Sequence, residues 1–311
     1  MTRSQEASSA GAAASVAPVA PLAPVSLSGF FAAAFAAVCL IVLATVGAEA
    51  QERVHLTTEG SGPDIVFVPG LASPGEAFAE IGASLDGRSS YVDLAGFAGT
   101  APVAGLDAFI GPAAQDLADA LAARDMTGVV LVGHSLGGQI ALQTAAAAPD
   151  RVAHVVLIDS APFTAALMQP GADPEQVTAR RPAMVEQFMA MERDALMAMM
   201  EQGLPMQVTS AEDQERVMGW IEGSDQRALA VASSEIFGGD LRPVLDGVRA
   251  PVTLIYPGQP GGPIAERYAA QYERLDRFDM HAVPDSRHFV MLDQPEAVIG
   301  ILQAVVERVQ K

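Results

Sequence analysis

The 311 residues, half of them hydrophobic, leave room for one large domain or two small ones and carry far more apolar surface than a disordered chain. With 37 acidic against 18 basic residues, a net charge of -19, no basic run and a single lysine (Lys311), the composition excludes a phosphate-tracking nucleic-acid binder. One cysteine, Cys39, excludes an intramolecular disulfide framework and every multi-cysteine metal site.

The first 28 or so residues are Ala, Pro, Ser and Val with almost no charge, a composition that cannot build a packed core. An apolar run follows over residues 30–46 (FFAAAFAAVCLIVLATV) and ends in Gly47-Ala48-Glu49-Ala50, which fits the small-x-small rule of a signal-peptidase site. Residues 1–50 are therefore expected to be a signal peptide cut after Ala50. An uncleaved N-terminal membrane anchor is the alternative, because the run sits at the bottom of the membrane-spanning range and Arg3 is the only basic residue before it. A lipid on Cys39 is disfavoured by the bulky Val38 before it, and twin-arginine export has no Arg-Arg pair to use. Under either reading residues 51–311 lie outside the cytoplasm, periplasmic or secreted. That portion contains no cysteine.

Strands are expected at residues 53–58, 65–68 and 90–94, a helix at 107–124, a strand at 129–132, a helix at 136–148 and a strand at 154–158. After a helical stretch, strands at 252–256 and 280–283 and a helix at 295–309 complete the chain. Four strands (IVFV, VVLV, VVLI, VTLIY) are apolar without alternation, as strands covered on both faces must be. The pattern specifies an α/β fold with a mostly parallel central sheet flanked by helices. Residues 51–161 and 247–311 form its core, interrupted by a purely helical insertion at 162–246. The insertion is rich in methionine, and Phe188, Met191, Ala195 and Met199 fall on one face at helical spacing. A core stripe is the plain reading of any one of these residues. The cluster reads as an adaptable lid over a pocket for apolar groups. Trp220 lies in the same stretch and is a pocket-lining candidate, with packing as the plainer role.

At the end of the strand 129–132 stands Gly133-His134-Ser135-Leu136-Gly137-Gly138, followed by a helical pattern. G-x-S-x-G between a strand and a helix lifts a serine above the sheet in a strained turn where a base can reach it. Gly133 and Gly137 remove Cβ atoms that would collide with neighbouring strand and helix. The helix N-terminus favours a developing oxyanion at Ser135. With this motif the sequence resembles the α/β-hydrolase superfamily, over essentially all of residues 53–311. Two further segments carry the resemblance. Ile65-Val-Phe-Val-Pro69-Gly70-Leu71 is similar to the strand and oxyanion loop, with Pro-Gly where His-Gly is commoner. Ser286-Arg287-His288-Phe289, with Leu292-Asp293-Gln294-Pro295-Glu296 after it, is similar to the histidine loop and the start of the last helix. The insertion falls where the family places its helical cap.

Ser135 needs a base with a pKa near neutrality, and five histidines are available. His55 lies in the first strand, and His134 must point away from the nucleophile's side chain. His154 begins a strand at the wrong end of the sheet, and His281 lies within a strand. His288 follows the last strand's C-terminal end, where open α/β sheets collect their chemistry, and is the expected base. The elbow geometry assigns one oxyanion donor to the Leu136 N-H. The resemblance assigns the other to Leu71, after Pro69-Gly70. In most of the family an acid follows the strand equivalent to 252–256. Here that strand runs into Pro257-Gly-Gln-Pro-Gly-Gly-Pro263 with no carboxylate until Glu266. Some members use the end of the strand after the elbow helix instead, where this chain has Asp159. Asp159 is therefore the expected acid, with Asp285 and Glu266 as alternatives and a turn-capping role as its plain reading.

A serine at the elbow with a histidine base implies hydrolysis of a carboxylic ester or lactone through an acyl-enzyme. The resemblance calls for no cofactor and no metal. The expected partner is a small-molecule ester-type substrate with an apolar group, with a membrane involved only if the leader stays uncleaved. Another acyl-transfer enzyme, a peptidase or a C–C bond hydrolase on the same triad is one alternative. A slow or non-catalytic small-molecule binder is the other, suggested by the missing acid at the usual position.

Overall fold

The apolar runs of the sequence become the middle of a seven-stranded sheet, in the order β1-β3-β2-β4-β5-β6-β7. The computed structural model describes residues 52–311, so the expected signal peptide or anchor (1–50) lies outside the described residues. Among those described, no helix is long and apolar enough to cross a membrane. The strands are β1 (Val54–Gly60), β2 (Asp64–Val68), β3 (Arg88–Leu94), β4 (Val129–His134), β5 (Val152–Ile158), β6 (Val252–Pro257) and β7 (Phe278–Val283). β1 pairs antiparallel with β3, and every other neighbouring pair is parallel. β2 and β4 are buried along their whole length, which is why they read as unbroken apolar runs rather than alternating ones. Asp64, the one acid in β2, is held by both guanidinium arms of Arg88 at 2.6 and 2.8 Å.

The parallel strands need crossovers, and the helices Ile110–Ala123, Leu136–Ala147 and Pro263–Gln271 supply three of them, while the last helix, Pro295–Val309, follows β7 and packs against β4 and β5. The first starts three residues later than the periodicity predicts. Its terminal N-H groups, Phe109 and Ile110, are capped from far along the chain by the Glu235 carboxylate at 3.1 and 2.7 Å.

Between β5 and β6 the chain is helical, with six α-helices from Thr164–Met168 to Gln226–Gly238. The single stripe of Phe188, Met191, Ala195 and Met199 is not realised. The helix Arg181–Met189 ends, Met191 falls in a bend, and a second helix, Arg193–Gly203, begins after an extended Glu192. Gln226 Nε2 takes up the Phe188 and Met191 carbonyls at 3.1 and 2.9 Å, satisfying the backbone that the break releases. Of the insertion's methionines, Met168 and Met206 are the most exposed, whereas Met197 and Met218 pack against the core. Trp220 is also partly packed against the core. It lines a cleft with Glu76, Glu80, Glu212 and Asp213, apart from the cavity at Ser135.

Candidate active site

Ser135 sits between β4 and the helix Leu136–Ala147 at φ 52° and ψ -117°, a backbone conformation that costs a non-glycine residue about 1–3 kcal/mol. The turn is fixed by its surroundings. Ser135 N-H donates to Ile158 O at 3.0 Å, and its carbonyl accepts from Ser160 Oγ at 2.7 Å. A Cβ on Gly133 would collide with the backbone of Gly137 and Gly138, and one on Gly137 with the Val68 carbonyl of β2. Only glycines let strand, turn and helix approach this closely.

The two expected oxyanion donors belong to the residue after the serine and to the loop after β2. Leu136 is the first residue of the elbow helix, so its N-H has no partner within the helix. Leu71 follows β2 in a tight turn closed by Ser73 N-H to Gly70 O at 3.2 Å, and it lines the same cavity as Ser135. The Gly70 position tolerates no side chain, because a Cβ there would lie 2.6 Å from His134 Nδ1.

Asp159 stands one residue beyond β5 at φ 42°, its N-H bonded to Ile255 O at 2.8 Å. Its carboxylate does not cap the following turn. One oxygen receives the His288 Nδ1 hydrogen at 2.6 Å and the other receives the Tyr268 hydroxyl. The Asp159 side chain is 11% exposed and that of His288 30%. Burial and the Asp159 charge push the Tyr268 phenol well above its usual range, so it stays protonated and donates. The bond at Nδ1 leaves Nε2 as the nitrogen available to Ser135. Among the described residues the Ser135 hydroxyl makes no hydrogen bond, a looseness common in sites without substrate.

The other acids stay away from His288. Asp285 is exposed in the turn after β7 at φ 56°, and Glu266 is exposed on the helix Pro263–Gln271. The other histidines divide by burial. His55 is exposed on β1, and His281 pairs with Asp279 at 3.1 Å. His154 is buried low on β5 against Thr253 Oγ1 at 2.9 Å.

His134 is the histidine whose place the sequence does not foretell. It points away from the nucleophile but ends inside the protein, fully buried, with its ring 4.6 Å from that of His288 and 4.8 Å from that of Phe289. Burial and His288 push its pKa well below the usual 6.5, so it is neutral. Its Nε2 faces the His288 carbonyl at 3.0 Å, an oxygen that can only accept, so this nitrogen carries the proton. Sequence reasoning missed this prop under the base loop, and it missed Tyr268. It also missed a clasp to the insertion, where Phe289 N-H donates to Gln207 O at 2.9 Å. In the same clasp, Thr209 N-H and Oγ1 donate to Asp293 at 2.8 and 2.6 Å. Only Tyr268 left a sequence signal, as an aromatic hydroxyl on the helix that follows the acid-free loop.

Above these groups lies a cavity of about 530 Å³. Core residues Leu71 and Phe289 line it together with Met184, Phe188, Met199, Met200 and Phe237 of the helical segment between β5 and β6. A strained serine, an acid-held imidazole and two backbone donors around one apolar cavity can attack a carbonyl and stabilise the oxyanion formed.

The model of the Alpha/beta hydrolase family matches residues 65–301. A protein of Nitrosomonas europaea named pimeloyl-[acyl-carrier protein] methyl ester esterase is 30% identical over 266 residues, covering 81% of this chain and 99% of that one. A thermophilic esterase from Thermogutta terrifontis, solved with malate bound, superposes with a TM-score of 0.69 at 19% identity, over 83% of this chain and 94% of that one. The esterase of Exiguobacterium antarcticum gives a TM-score of 0.68 at 18% identity, over 82% and 95%. At these identities the two structures speak for the fold.

Proposed function

The chain belongs to the α/β-hydrolase family, and from that premise we propose that it hydrolyses a carboxylic ester or lactone with an apolar group through an acyl-enzyme on Ser135. The observation that carries the reading is the 2.6 Å bond between His288 Nδ1 and Asp159, set in the cavity that Ser135 also lines. His288 Nε2 takes the serine proton as Oγ attacks the carbonyl, and the Leu71 and Leu136 N-H groups hold the oxyanion. Asp159 keeps the imidazole in the tautomer that can accept at Nε2 and stabilises the imidazolium. The imidazolium then protonates the leaving alcohol, and the same base activates water to release the acid. The esterase name of the Nitrosomonas europaea relative supports the ester bond as the target.

A fluorophosphonate probe with a p-nitrophenyl ester series tests this. Labelling and turnover that both vanish in Ser135→Ala are expected. A folded, unlabelled wild-type protein would favour a binding protein instead, and labelling with no turnover of any ester or lactone would favour another acyl-transfer or C–C bond chemistry.

The proposal extends to location. The apolar run and Ala48-Glu49-Ala50 support export of the catalytic portion. Recovery of a chain that starts at Gln51 outside the cytoplasm is the outcome that supports cleavage, and an intact chain in the membrane fraction supports the anchor.

A further inference from the structure

The cavity around Ser135 is charged at one place only. Among the described residues its ionisable lining groups are Asp159 and His288, which are bonded to each other, the buried neutral imidazole of His134 and the neutral phenol of Tyr268. Among the described residues no arginine or lysine lines it. We infer that the substrate of this site is an uncharged ester, and that an ester carrying a carboxylate on its acyl chain is rejected. The inference rests on the ester-hydrolase reading.

Three observations carry it. The first is desolvation. The insertion closes the cavity with thioether and aromatic side chains, so a carboxylate drawn in with the acyl chain would lose its water and find no cation. The second is the sign of the walls. Residues 162–246 hold fourteen acidic and six basic residues, and five of the six arginines are already engaged. Arg181, Arg216, Arg227 and Arg242 are paired with carboxylates. Arg193 binds the backbone carbonyls of Ile221, Glu222 and Ser224. Arg287, in the base loop itself, is likewise turned to the carbonyls of Pro205 and Val208. The third is the charge of the whole chain at -19, whose field disfavours entry of any anion.

The same arrangement gives the reaction a direction. Hydrolysis turns a neutral ester into a carboxylate inside a cavity that offers it no counter-ion, so the acid product is held more weakly than the ester that produced it. The negative charge of the oxyanion is met by two N-H donors aimed at the reacting carbonyl's oxygen, which a carboxylate at the far end of the acyl chain does not reach.

The test compares three p-nitrophenyl esters of one chain length: octanoate, the suberate half-ester with a free ω-carboxylate, and its ω-methyl ester. For the anionic ester kcat/KM is expected to fall about 100-fold or more below that of octanoate, the consequence of burying an unpaired charge. The ω-methyl ester is expected to stay within about tenfold of octanoate, because it differs in polarity but not in charge. Octanoate ion is expected to inhibit only well above the KM of its ester. Turnover of the anionic ester as fast as the ω-methyl ester would overturn the inference and leave ester hydrolysis standing. Turnover of none of the three would overturn both.

Discussion

Asp159 receives two donors, and each fixes a different thing. The bond from His288 Nδ1 sets the imidazole's tautomer, while Tyr268, from the helix after β6, holds the other carboxylate oxygen. Asp159→Asn is expected to lower kcat by about 10⁴, the cost of offering the imidazole the wrong tautomer, with little change in melting temperature. Asp285→Asn, in an exposed turn, is expected to leave kcat unchanged, and the reverse result would move the acid to Asp285. His134 acts on the same imidazole from below, through the His288 carbonyl. His134→Leu is expected to reduce kcat about tenfold, an effect of the size of one lost hydrogen bond to a reacting group's support. His134→Gln, which can still donate to that carbonyl, is expected to recover most of it. Equal losses in the two variants would mean that the ring's bulk rather than its donor matters. The positions of Ser135, Asp159 and His288 were legible because each stands beyond the end of a strand, in chain order. The prop was not, because a buried donor leaves no periodicity or spacing to read, and Tyr268 left only an aromatic hydroxyl on the helix after the acid-free loop.

Among the elements, the strands were legible for a simple reason: burial on both faces forces a continuous apolar run, and β2, β4, β5 and β6 each have one. The insertion's helices were legible as helical but not in their breaks. What ends the helix Arg181–Met189 is a distant amide, Gln226, and what delays the helix Ile110–Ala123 is a distant carboxylate, Glu235. Glu235 is a second tie between insertion and core, beside the clasp of Gln207 and Thr209 to the base loop. Its side chain caps two N-H groups of the core helix with one oxygen and holds Arg181 at 2.7 Å with the other. Glu235→Ala would strand two N-H groups and a guanidinium half-buried at the joint. It is expected to cost about 3 kcal/mol, or roughly 10 °C in melting temperature for a domain of this size. Glu235→Gln keeps acceptor and shape and is expected to cost less. Unchanged melting of the alanine variant would show that the insertion is held by its apolar face and its other hydrogen bonds, without Glu235.

For the molecule as a whole, composition fixed the charge and excluded classes of partner. It said nothing of which histidines would be taken out of water. Two of the five are buried and neutral. Burial first, then the neighbouring Arg308, lowers the His154 pKa to about 4, and burial lowers that of His134 well below the usual 6.5. In the unfolded chain both return to a pKa of about 6.5. Between that value and the folded one the unfolded state binds more protons than the native state, so stability rises with pH there. It is complete above about pH 6.5 and is lost as the pH falls toward 4, at about 1.4 kcal/mol per pH unit for each histidine still neutral in the fold. His154 Nε2 lies 2.9 Å from Thr253 Oγ1, whose own hydrogen goes to Asp279 at 2.7 Å, so His154 is the donor and glutamine can replace it. Urea unfolding at pH 7.5 and 5.5 is therefore expected to show a smaller loss of stability for His154→Gln than for the wild type, by up to about one proton's slope over the part of that interval below pH 6.5. An identical loss in the two proteins would mean that His154 does not remain neutral in the native state and that the acid sensitivity of the fold originates elsewhere.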